Sequence, residues 1–242
     1  MKNLILFLLM GVLSFNLTRS QDLIPQDKVV ITEIRGINTY QLNGKNFNGF
    51  IYESYSDEKL KTKFQVVDGV MDGISEMYYK NGKLLERLLY KNGLKDGPYE
   101  EYYENGQLRG KTTYKNDKLD GPSETYYENG VLFQKGRFKN DKQEGLVEEY
   151  YENGILKQRG NYTNDQLNGQ SEKFFEDGKL ALVSTFKNGK LHGITKVFFE
   201  TGKLMKTGNF KDDLKHGVFE VYNKRGKLIK REVFANDIKI NE

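Results

Sequence analysis

The sequence predicts an all-β protein, an elongated single-layer antiparallel sheet made of tandem β-hairpins. Glycine recurs at a spacing of 24 residues, a second glycine column follows within each unit, and an aromatic pair precedes that second glycine. A fixed period between about 20 and 50 residues is typical of stacked repeats, in which each unit packs only on its neighbours. The first column contains Gly49, Gly73, Gly97, Gly121, Gly145, Gly169, Gly193 and Gly217.

The second glycine column marks the turn of each hairpin. Asn precedes this glycine in four copies, and a leucine follows two positions later, as in Asn81-Gly82 before Leu84. Asn-Gly between two strand-like runs is a strong hairpin signal, because both turn residues take positive φ. We therefore predict a two-residue turn at each of these glycines; the alternative is a bulged loop, which would shift the register by one residue and exchange the faces. The column contains Gly82, Gly106, Gly130, Gly154, Gly178, Gly202 and Gly226.

Charges test the register of this hairpin. A two-residue turn at Asn81-Gly82 places Tyr79 opposite Leu84 and Glu76 opposite Arg87. Opposite charges across two strands stabilise a sheet by about 0.2–1 kcal/mol per pair. The same register predicts four further charge pairs and two neutral ones. These are Glu100–Lys111, Glu124–Lys135, Glu148–Arg159 and Glu220–Arg231, then Glu172–Val183 and Lys196–Thr207.

The register also assigns side chains to two faces, since neighbouring strand residues point in opposite directions. Tyr79, Leu84 and Tyr90 fall on one face, which we predict to be the core stripe, with the Tyr90 ring covering Gly73. Tyr78 falls on the other, wetter face among the charge pairs. One position of the core stripe is small, so that large and small residues interlock there. It holds Thr112, Gly136, Gly160, Ser184 and Gly208.

The N-terminus differs from the array. Met1-Lys2 gives a short basic start, an apolar run follows from Leu4 to Leu13, and a cleavage site lies near Ser20/Gln21. This pattern is typical of a secretory signal peptide. The predicted organisation is a signal peptide over 1–20, an N-terminal strand and capping segment over 21–48, eight hairpin repeats over 49–237 and a tail over 238–242. The first repeat, 49–72, is degenerate because Glu58 replaces the turn glycine. Export predicts an extracytoplasmic location.

Composition excludes several classes of function. The chain has no cysteine, which excludes disulfides, thiolate metal sites and thiol catalysis. Its 38 basic and 34 acidic residues are interleaved, so no basic stripe for nucleic acid is present. Membrane association is weak at most, since the lysines that increase in number toward the C-terminus lie among acidic residues. These lysines are Lys187, Lys190, Lys203, Lys206, Lys211 and Lys215.

The repeated polar residues do not predict catalysis. His192 and His216 share one column, immediately before the first glycine, with Asp72, Asp96 and Asp120. Equivalent residues lie two strands apart, about 10 Å, which disfavours a shared zinc ion and favours polar turn residues. No nucleophile triad or phosphate-binding glycine loop accompanies them. The sequence therefore predicts no enzyme, no cofactor and no metal.

The first ring of each aromatic pair is the candidate partner-binding stripe, because a tyrosine offers a large surface with a polar tip. The alternative is that these rings pack on neighbouring hairpins and stiffen the sheet. The absence of tryptophan counts against carbohydrate. The stripe contains Tyr78, Tyr102, Tyr126, Tyr150, Phe174, Phe198 and Tyr222.

The repeated unit, with its Tyr-Tyr-x-Asn-Gly-x-Leu core and later Tyr-Lys-Asn, resembles the MORN repeat variant over about residues 49–237. Bacterial proteins with this repeat are often labelled antitoxin components of toxin–antitoxin systems. The resemblance implies an elongated sheet used as an interaction or assembly scaffold. An exported chain, however, would not neutralise a cytoplasmic toxin.

We therefore expect an exported, non-catalytic scaffold for protein–protein interaction at or outside the cell envelope. Its partner is an unknown protein, with the envelope or cell wall as a further candidate. Two other functions stay open, a binding module for cell-wall or surface glycan and an antitoxin-like inhibitor of a partner toxin.

Overall fold

A computed structural model describes residues 22–240 of the chain. The predicted signal peptide and its cleavage site near Ser20/Gln21 therefore lie outside the described residues.

The described chain consists almost wholly of short β-strands, with one 3-10 turn at Gln26–Lys28. In chain order the strands are β1 (Leu23–Pro25), β2 (Val30–Ile34), β3 (Ile37–Leu42), β4 (Lys45–Asn46), β5 (Gly49–Ser54), β6 (Leu60–Val67), β7 (Val70–Tyr78), β8 (Leu84–Lys91), β9 (Leu94–Tyr102), β10 (Leu108–Lys115), β11 (Lys118–Leu119), β12 (Gly121–Tyr126), β13 (Leu132–Lys139), β14 (Lys142–Gln143), β15 (Gly145–Tyr150), β16 (Leu156–Thr163), β17 (Gln166–Phe174), β18 (Leu180–Lys187), β19 (Lys190–Phe198), β20 (Leu204–Lys211), β21 (Leu214–Tyr222), β22 (Leu228–Ala235) and β23 (Ile238–Ile240).

One 20-stranded sheet contains β1 and every strand from β5 to β23. From β5 onward the sheet is antiparallel, and β1 pairs parallel with β5. Strands β11 and β12 both pair with β10, and β14 and β15 both pair with β13, so each couple acts as one interrupted strand. Strands β2, β3 and β4 form a separate three-stranded sheet. The predicted all-β class and tandem-hairpin sheet are confirmed.

The two-residue turns with positive φ lie between the predicted units. Asn92 and Gly93 have φ of 51° and 81°, and they join the paired residues Lys91 and Leu94. This backbone matches a type I′ turn, whose twist fits the twist of the flanking strands. Asn-Asp takes the same conformation in other repeats, as at Asn140-Asp141 with φ of 48° and 67°.

The predicted two-residue turn at Asn81-Gly82 is wrong. The Gly82 amide donates to the Tyr79 carbonyl at 2.9 Å, and the Tyr79 amide donates to the Lys83 carbonyl at 2.8 Å. Gly82 has φ of 84°, but Asn81 is not among the residues with positive φ. The loop is therefore a three-residue turn that ends in a left-handed glycine. The Asn81 Oδ1 instead accepts the Lys83 amide at 2.9 Å, which explains why asparagine suits this position.

The longer loop changes the register beside it. Glu76 lies opposite Arg87 as predicted, but Tyr78, not Tyr79, lies opposite Leu84, and Leu85 is the extra residue of a β-bulge. The other predicted pairs are confirmed. They are Glu100–Lys111, Glu124–Lys135, Glu148–Arg159, Glu220–Arg231, Glu172–Val183 and Lys196–Thr207.

The bulge moves the leucine column to the other face. Lys157 and Gln158 both contact Glu149, each at 2.6 Å, so two consecutive residues share one face at the bulge. The preceding Leu156 lies opposite Tyr150 and shares its face. The prediction that Leu84 and its equivalents belong to the core stripe is therefore wrong.

We name the two faces by what they carry. The ladder face holds Tyr78, Glu76 and Arg87, and the hollow face holds Leu88, Tyr90 and Tyr99. The hollow face is the better buried of the two, with Leu88, Val147 and Ser184 at 3%, 7% and 4% exposure. The array therefore has its core on one side of a single layer.

Large and small residues interlock on the hollow face, as predicted. A Cβ at Gly160 would lie 2.6 Å from a Leu167 methyl group, and a Cβ at Gly208 would overlap the Phe219 ring. Gly73 lies opposite Tyr90 as predicted, but the group that its Cβ would meet is the Gln65 side chain and not the ring. Gly73 has φ of 119°, so the backbone itself requires glycine there.

The N-terminal strands bring together a compact hydrophobic cluster at one end of the array. Ile51 and Val66 on β5 and β6 are 0% and 1% exposed. They pack with residues from the segment before the array, so the N-terminal end of the sheet is covered. The cluster contains Val29, Tyr40, Phe47, Ile51, Phe64 and Val66.

Candidate interaction surfaces

The predicted aromatic stripe runs along the ladder face with one half-buried ring per repeat. The Tyr78 hydroxyl donates to Glu76 at 2.6 Å, and the Tyr102 hydroxyl donates to Glu100 at 2.8 Å. Tyr126, Tyr150 and Tyr222 make the same bond to the glutamate two residues before. The polar tips are therefore held within the strand, which leaves ring surface for a partner.

The glutamates belong to a ladder of alternating charge that crosses the repeats. Each cation lies between two glutamates, one on each neighbouring strand, and most cations bond the one in the following repeat. Lys111 lies 2.8 Å from Glu124, and Lys135 lies 2.6 Å from Glu148. Arg87 bonds Glu76 at 2.9 Å and is 3.9 Å from Glu100. In order, the ladder contains Glu76, Arg87, Glu100, Lys111, Glu124, Lys135, Glu148, Arg159 and Glu172.

The ladder sets the protonation of this face. Its hydrogen bond to Glu148 raises the pKa of Lys135 to about 12, while the bond from Lys111 holds the pKa of Glu124 below its usual range. Burial, together with the bond to Glu76, raises the pKa of Tyr78 to about 12. At neutral pH the ladder is therefore charged and the tyrosine hydroxyl is a donor.

A row of exposed apolar residues accompanies the stripe on the ladder face. Ile74 stands two residues before Glu76 and four before Tyr78, so the first strand of most hairpins presents apolar, charged and aromatic groups in turn. Ile74, Leu146 and Ile194 are 47%, 49% and 54% exposed. Val218 and the exposed Pro98 and Pro122 occupy the same column. This apolar row is a feature that the sequence analysis missed.

The second ring of each pair has a structural role that the sequence analysis also missed. It lies on the hollow face, where the Tyr127 ring is 5.1 Å from the Phe133 ring. Its hydroxyl donates to the backbone carbonyl of the stripe residue in the next repeat. The bonds are Tyr55–Tyr78, Tyr79–Tyr102, Tyr103–Tyr126, Tyr127–Tyr150 and Tyr151–Phe174, at 2.7–2.8 Å. This column therefore ties repeats together.

Both kinds of turn add further bonds between repeats. The Asn81 Nδ2 donates to the Glu104 carbonyl at 3.2 Å, one repeat further along. In the two-residue turns the Asp141 carboxylate accepts the Leu119 amide at 2.7 Å, and the Asp141 amide donates to the Leu119 carbonyl at 2.9 Å. These bonds explain why Asn and Asp recur at fixed positions in the unit.

The histidine column lies beside the two-residue turns. The His192 Nδ1 is 3.2 Å from the Asp212 Oδ1, and Asp72 accepts the Asn92 amide at 3.0 Å from the equivalent position. Over residues 22–240 no group of three or more His, Asp or Glu side chains is placed to hold a metal ion. Among the same residues, no helix is long and apolar enough to cross a membrane.

The hollow face contains two neighbouring hollows. One, of about 380 Å³, lies around Gly160 and is lined by polar groups such as Glu149, Gln158 and Lys173 with Tyr162. The second, of about 350 Å³, spans β19 to β22, and we call it the C-terminal hollow. Its apolar residues are Val197, Phe210, Phe219, Val221 and Phe234, and its lysines are Lys206, Lys215 and Lys230.

Comparison with known proteins identifies the repeat. The family model described as MORN repeat variant matches residues 71–92, 95–116, 119–140, 143–164, 167–188 and 191–212. Each match begins just after a two-residue turn and ends within the next one, so it frames the unit around the three-residue turn.

No curated protein matches this chain. One solved structure that is similar to part of it is entitled "Crystal structure of GtfA/B complex bound to UDP and GlcNAc". The identity is 15%, the TM-score is 0.21, and the likeness covers 48% of this chain and 22% of that one. The chain thus spans less than a quarter of the protein that it matches.

Proposed function

Because the chain belongs to the MORN repeat variant family, whose repeats are generally non-catalytic modules for protein interaction or scaffolding, we propose that it is an exported scaffold that binds a protein partner at or outside the cell envelope. The observation that carries this proposal is the ladder face. On the first strand of each hairpin after the degenerate first repeat it presents an apolar, a charged and an aromatic residue in turn, except that Gln170 replaces the apolar residue in one repeat.

The chemistry of this face suits a protein better than a small molecule. Half-buried tyrosines with fixed hydroxyls offer large contact areas at little cost in side-chain entropy. Neighbouring apolar residues such as Ile74 and Leu146 add area, and the charge ladder supplies specificity rather than affinity. A regular row of this kind fits an extended partner that contacts several repeats.

Export is the second part of the proposal. It rests on the basic start and the apolar run, which suit a secreted chain. The test is expression of the full chain in its own cells, followed by fractionation and sequencing of the mature N-terminus. A mature protein that begins near Gln21 outside the cytoplasm supports export. A cytoplasmic chain that still begins at Met1 contradicts it.

Partner capture tests the binding surface. The combined variant Tyr126→Ala, Tyr150→Ala and Phe174→Ala removes three adjacent rings of the stripe, and it should lose a protein that the unchanged chain captures from envelope extracts. The matched variant Tyr126→Phe and Tyr150→Phe keeps the rings and removes only the hydroxyls, so it should retain that protein. Circular dichroism controls for folding.

Two results would redirect the proposal. Equal capture by the folded alanine variant would show that the stripe is not the binding surface. Retention of the chain by purified cell wall without any protein partner would favour a glycan-binding module instead.

A further inference from the structure

The C-terminal hollow differs in charge from the rest of the hollow face. The central row of that face consists of residues paired across successive strands from β7 to β22. Its first charged residues are Glu86 and Glu101, which lie opposite each other, and its last residues are Lys206, Val221 and Lys230. In full it contains Met77, Glu86, Glu101, Gly110, Thr125, Gln134, Glu149, Gln158, Lys173, Leu182, Val197, Lys206, Val221 and Lys230.

The charges in the first half of the row are largely balanced by the bulge residues. Arg109 lies 2.7 Å from Glu101, and Lys157 lies 2.6 Å from Glu149. In the second half the bulge position is occupied by apolar residues, Ala181, Met205 and Ile229. The basic residues of that half therefore have no counterpart of opposite charge at the bulge.

The C-terminal hollow consequently carries excess positive charge. Among the described residues no carboxylate forms an ion pair with Lys206 or Lys215. Glu232 is shared between Lys230 at 2.9 Å and Lys239 at 3.0 Å. Glu220, the other carboxylate at the hollow, bonds the Tyr222 hydroxyl on the ladder face. The net charge around the hollow is therefore positive.

The floor of the hollow consists of three aromatic rings in contact. The Phe219 ring packs edge-on against Phe210 at 5.3 Å and against Phe234 at 5.2 Å. Gly208 leaves the recess open, because a side chain there would overlap the Phe219 ring. The Lys215 ammonium stands 4.9 Å from the centre of the Phe234 ring, at the border between apolar floor and charged rim.

We propose that the C-terminal hollow binds an acidic segment of a protein partner that inserts an apolar or aromatic side chain. An apolar recess takes such a side chain, and the surrounding lysines select carboxylates beside it. An extended peptide can present both groups within a few residues. A flat anionic bilayer would reach the lysines but not the aromatic floor. This surface lies on the face opposite the aromatic stripe, and its occupancy does not depend on ladder-face binding.

Three fluorescent peptides of equal length test the proposal. One alternates Glu and Phe, a second alternates Lys and Phe, and a third alternates Glu and Gly. Vesicles of phosphatidylcholine with and without phosphatidylserine provide the membrane arm. The full chain should bind the Glu-Phe peptide and bind the other two peptides and the vesicles at least about tenfold more weakly.

Charge-neutralising variants locate the site. Lys206→Gln, Lys215→Gln and Lys230→Gln together should weaken Glu-Phe binding by about tenfold or more. The matched control is Lys115→Gln, Lys118→Gln and Lys142→Gln, three exposed lysines outside the hollow, which should leave binding within about twofold of the unchanged chain. The ladder-face variant Tyr126→Ala, Tyr150→Ala and Phe174→Ala should also bind normally.

Several results would overturn the proposal. One is Glu-Phe binding that persists in the folded hollow variant, and another is binding that the control variant loses equally. Stronger binding to phosphatidylserine vesicles than to the peptide would assign the hollow to membranes. Loss of peptide binding in the ladder-face variant alone would place the acidic segment on the stripe. The peptide experiment tests the C-terminal hollow and the capture experiment tests the aromatic stripe. A negative result for one surface therefore does not contradict the proposal for the other.

Discussion

The Tyr103 hydroxyl donates a 2.7 Å hydrogen bond to the backbone carbonyl of Tyr126, in the following repeat. The acceptor is main chain, so the bond does not depend on which side chain stands at position 126. The same bond leaves Tyr79 for Tyr102 and Tyr127 for Tyr150. In a stack where each unit contacts only its neighbours, such bonds contribute directly to the coupling between repeats.

Substitution at this column tests that coupling. Tyr103→Phe keeps the ring and removes the donor, so it should destabilise the array by about 0.5–1.5 kcal/mol. Phe175 occupies the same column without a hydroxyl, and Phe175→Tyr should gain a bond to the Phe198 carbonyl and stabilise. Urea unfolding of both variants measures the changes. Opposite shifts of the midpoint are expected, and shifts of the same sign would exclude the coupling role.

The fold was largely predictable from the sequence because the same pattern of strand-forming and turn-forming residues recurs in every unit. The pairing of Glu76 with Arg87 follows from opposite charges at a constant separation, and this pairing is confirmed. The error lay nearest the turn. Asn-Gly is compatible both with a two-residue turn and with a three-residue turn that ends in a left-handed glycine. The first places Leu84 opposite Tyr79, and the second, which the structure adopts, places Leu84 opposite Tyr78.

Hydrogen bonds between repeats were harder to predict. They join residues 22 or 23 positions apart, and the residue types do not indicate in which direction each side chain points. Tyr78 and Tyr79 are the same residue type in sequence, yet one bonds a glutamate on its own strand and the other bonds the next repeat. The change from Tyr to Phe at 175 and 199 shows only that the hydroxyl is dispensable at some positions. Which ring of the pair bonds the next repeat depends on the side-chain directions beside the bulge, and these directions depend on the length of the turn.

The degenerate first repeat offers a stabilising substitution. Glu58 stands at the turn-glycine position and adopts φ of 65°, with its amide donating to the Tyr55 carbonyl at 3.0 Å. A residue with a Cβ is strained in this conformation, whereas glycine is not. Glu58→Gly should therefore stabilise the protein by about 0.5–1 kcal/mol, after the greater flexibility of glycine in the unfolded chain is included.

The reverse substitution provides the control. Gly106 occupies the same turn position with φ of 92°, and a Cβ there would lie 3.5 Å from Lys83, which is ordinary contact. Gly106→Ala should thus destabilise through backbone strain alone, by about 1 kcal/mol. Thermal unfolding measures both variants. A destabilised Glu58→Gly variant would show that the Glu58 side chain matters more than its backbone.

Aspartate in the two-residue turns gives a third prediction. Asp141 accepts the Leu119 amide at 2.7 Å, and glycine stands at the equivalent position 189 with a similar backbone. Asp141→Gly should therefore keep the turn but lose the acceptor, at a cost of about 1 kcal/mol, because aspartate, unlike glutamate, tolerates positive φ and glycine relieves little strain there. Hydrogen exchange at the Leu119 amide is the most direct measurement. Exchange should accelerate in this variant and stay unchanged in Glu200→Gly, an exposed turn position in another repeat.

The charge ladder makes stability depend on pH. The pKa of Glu124 lies below its usual value of 4.5, chiefly because Lys111 donates to it, and the pKa of Glu148 is lowered chiefly by Lys135. A lowered pKa in the folded state means that protonation favours unfolding. The contribution is complete above the unfolded-state value of about 4.5 and is lost as pH falls through the lower folded-state value.

Urea midpoints between pH 7 and pH 2 should therefore fall steeply below about pH 4.5. Glu124→Gln removes one of the linked carboxylates, so its midpoint should be lower at pH 7 and should change less on acidification. Glu200→Gln, an exposed carboxylate outside the ladder, is the matched control. If the two variants showed the same pH dependence, the ladder would not be the source of acid sensitivity.

The interlocking of large and small residues on the hollow face can be tested with two glycines in strands. A Cβ at Gly208 would overlap the Phe219 ring, whereas a Cβ at Gly110 would meet its nearest neighbours, the Glu124 carbonyl and a Thr125 methyl group, at 3.5 Å. Neither glycine has positive φ, so backbone conformation does not separate them. Gly208→Ala should displace the ring and cost about 1–3 kcal/mol. Gly110→Ala should be neutral or stabilising, because alanine loses less backbone entropy on folding.

Unfolding midpoints compare the Gly208→Ala and Gly110→Ala variants, and near-ultraviolet circular dichroism reports whether the packing of Phe210, Phe219 and Phe234 changes only in Gly208→Ala. Equal effects would mean that the Phe219 ring can move aside freely, which would contradict close packing of the aromatic floor beneath the C-terminal hollow.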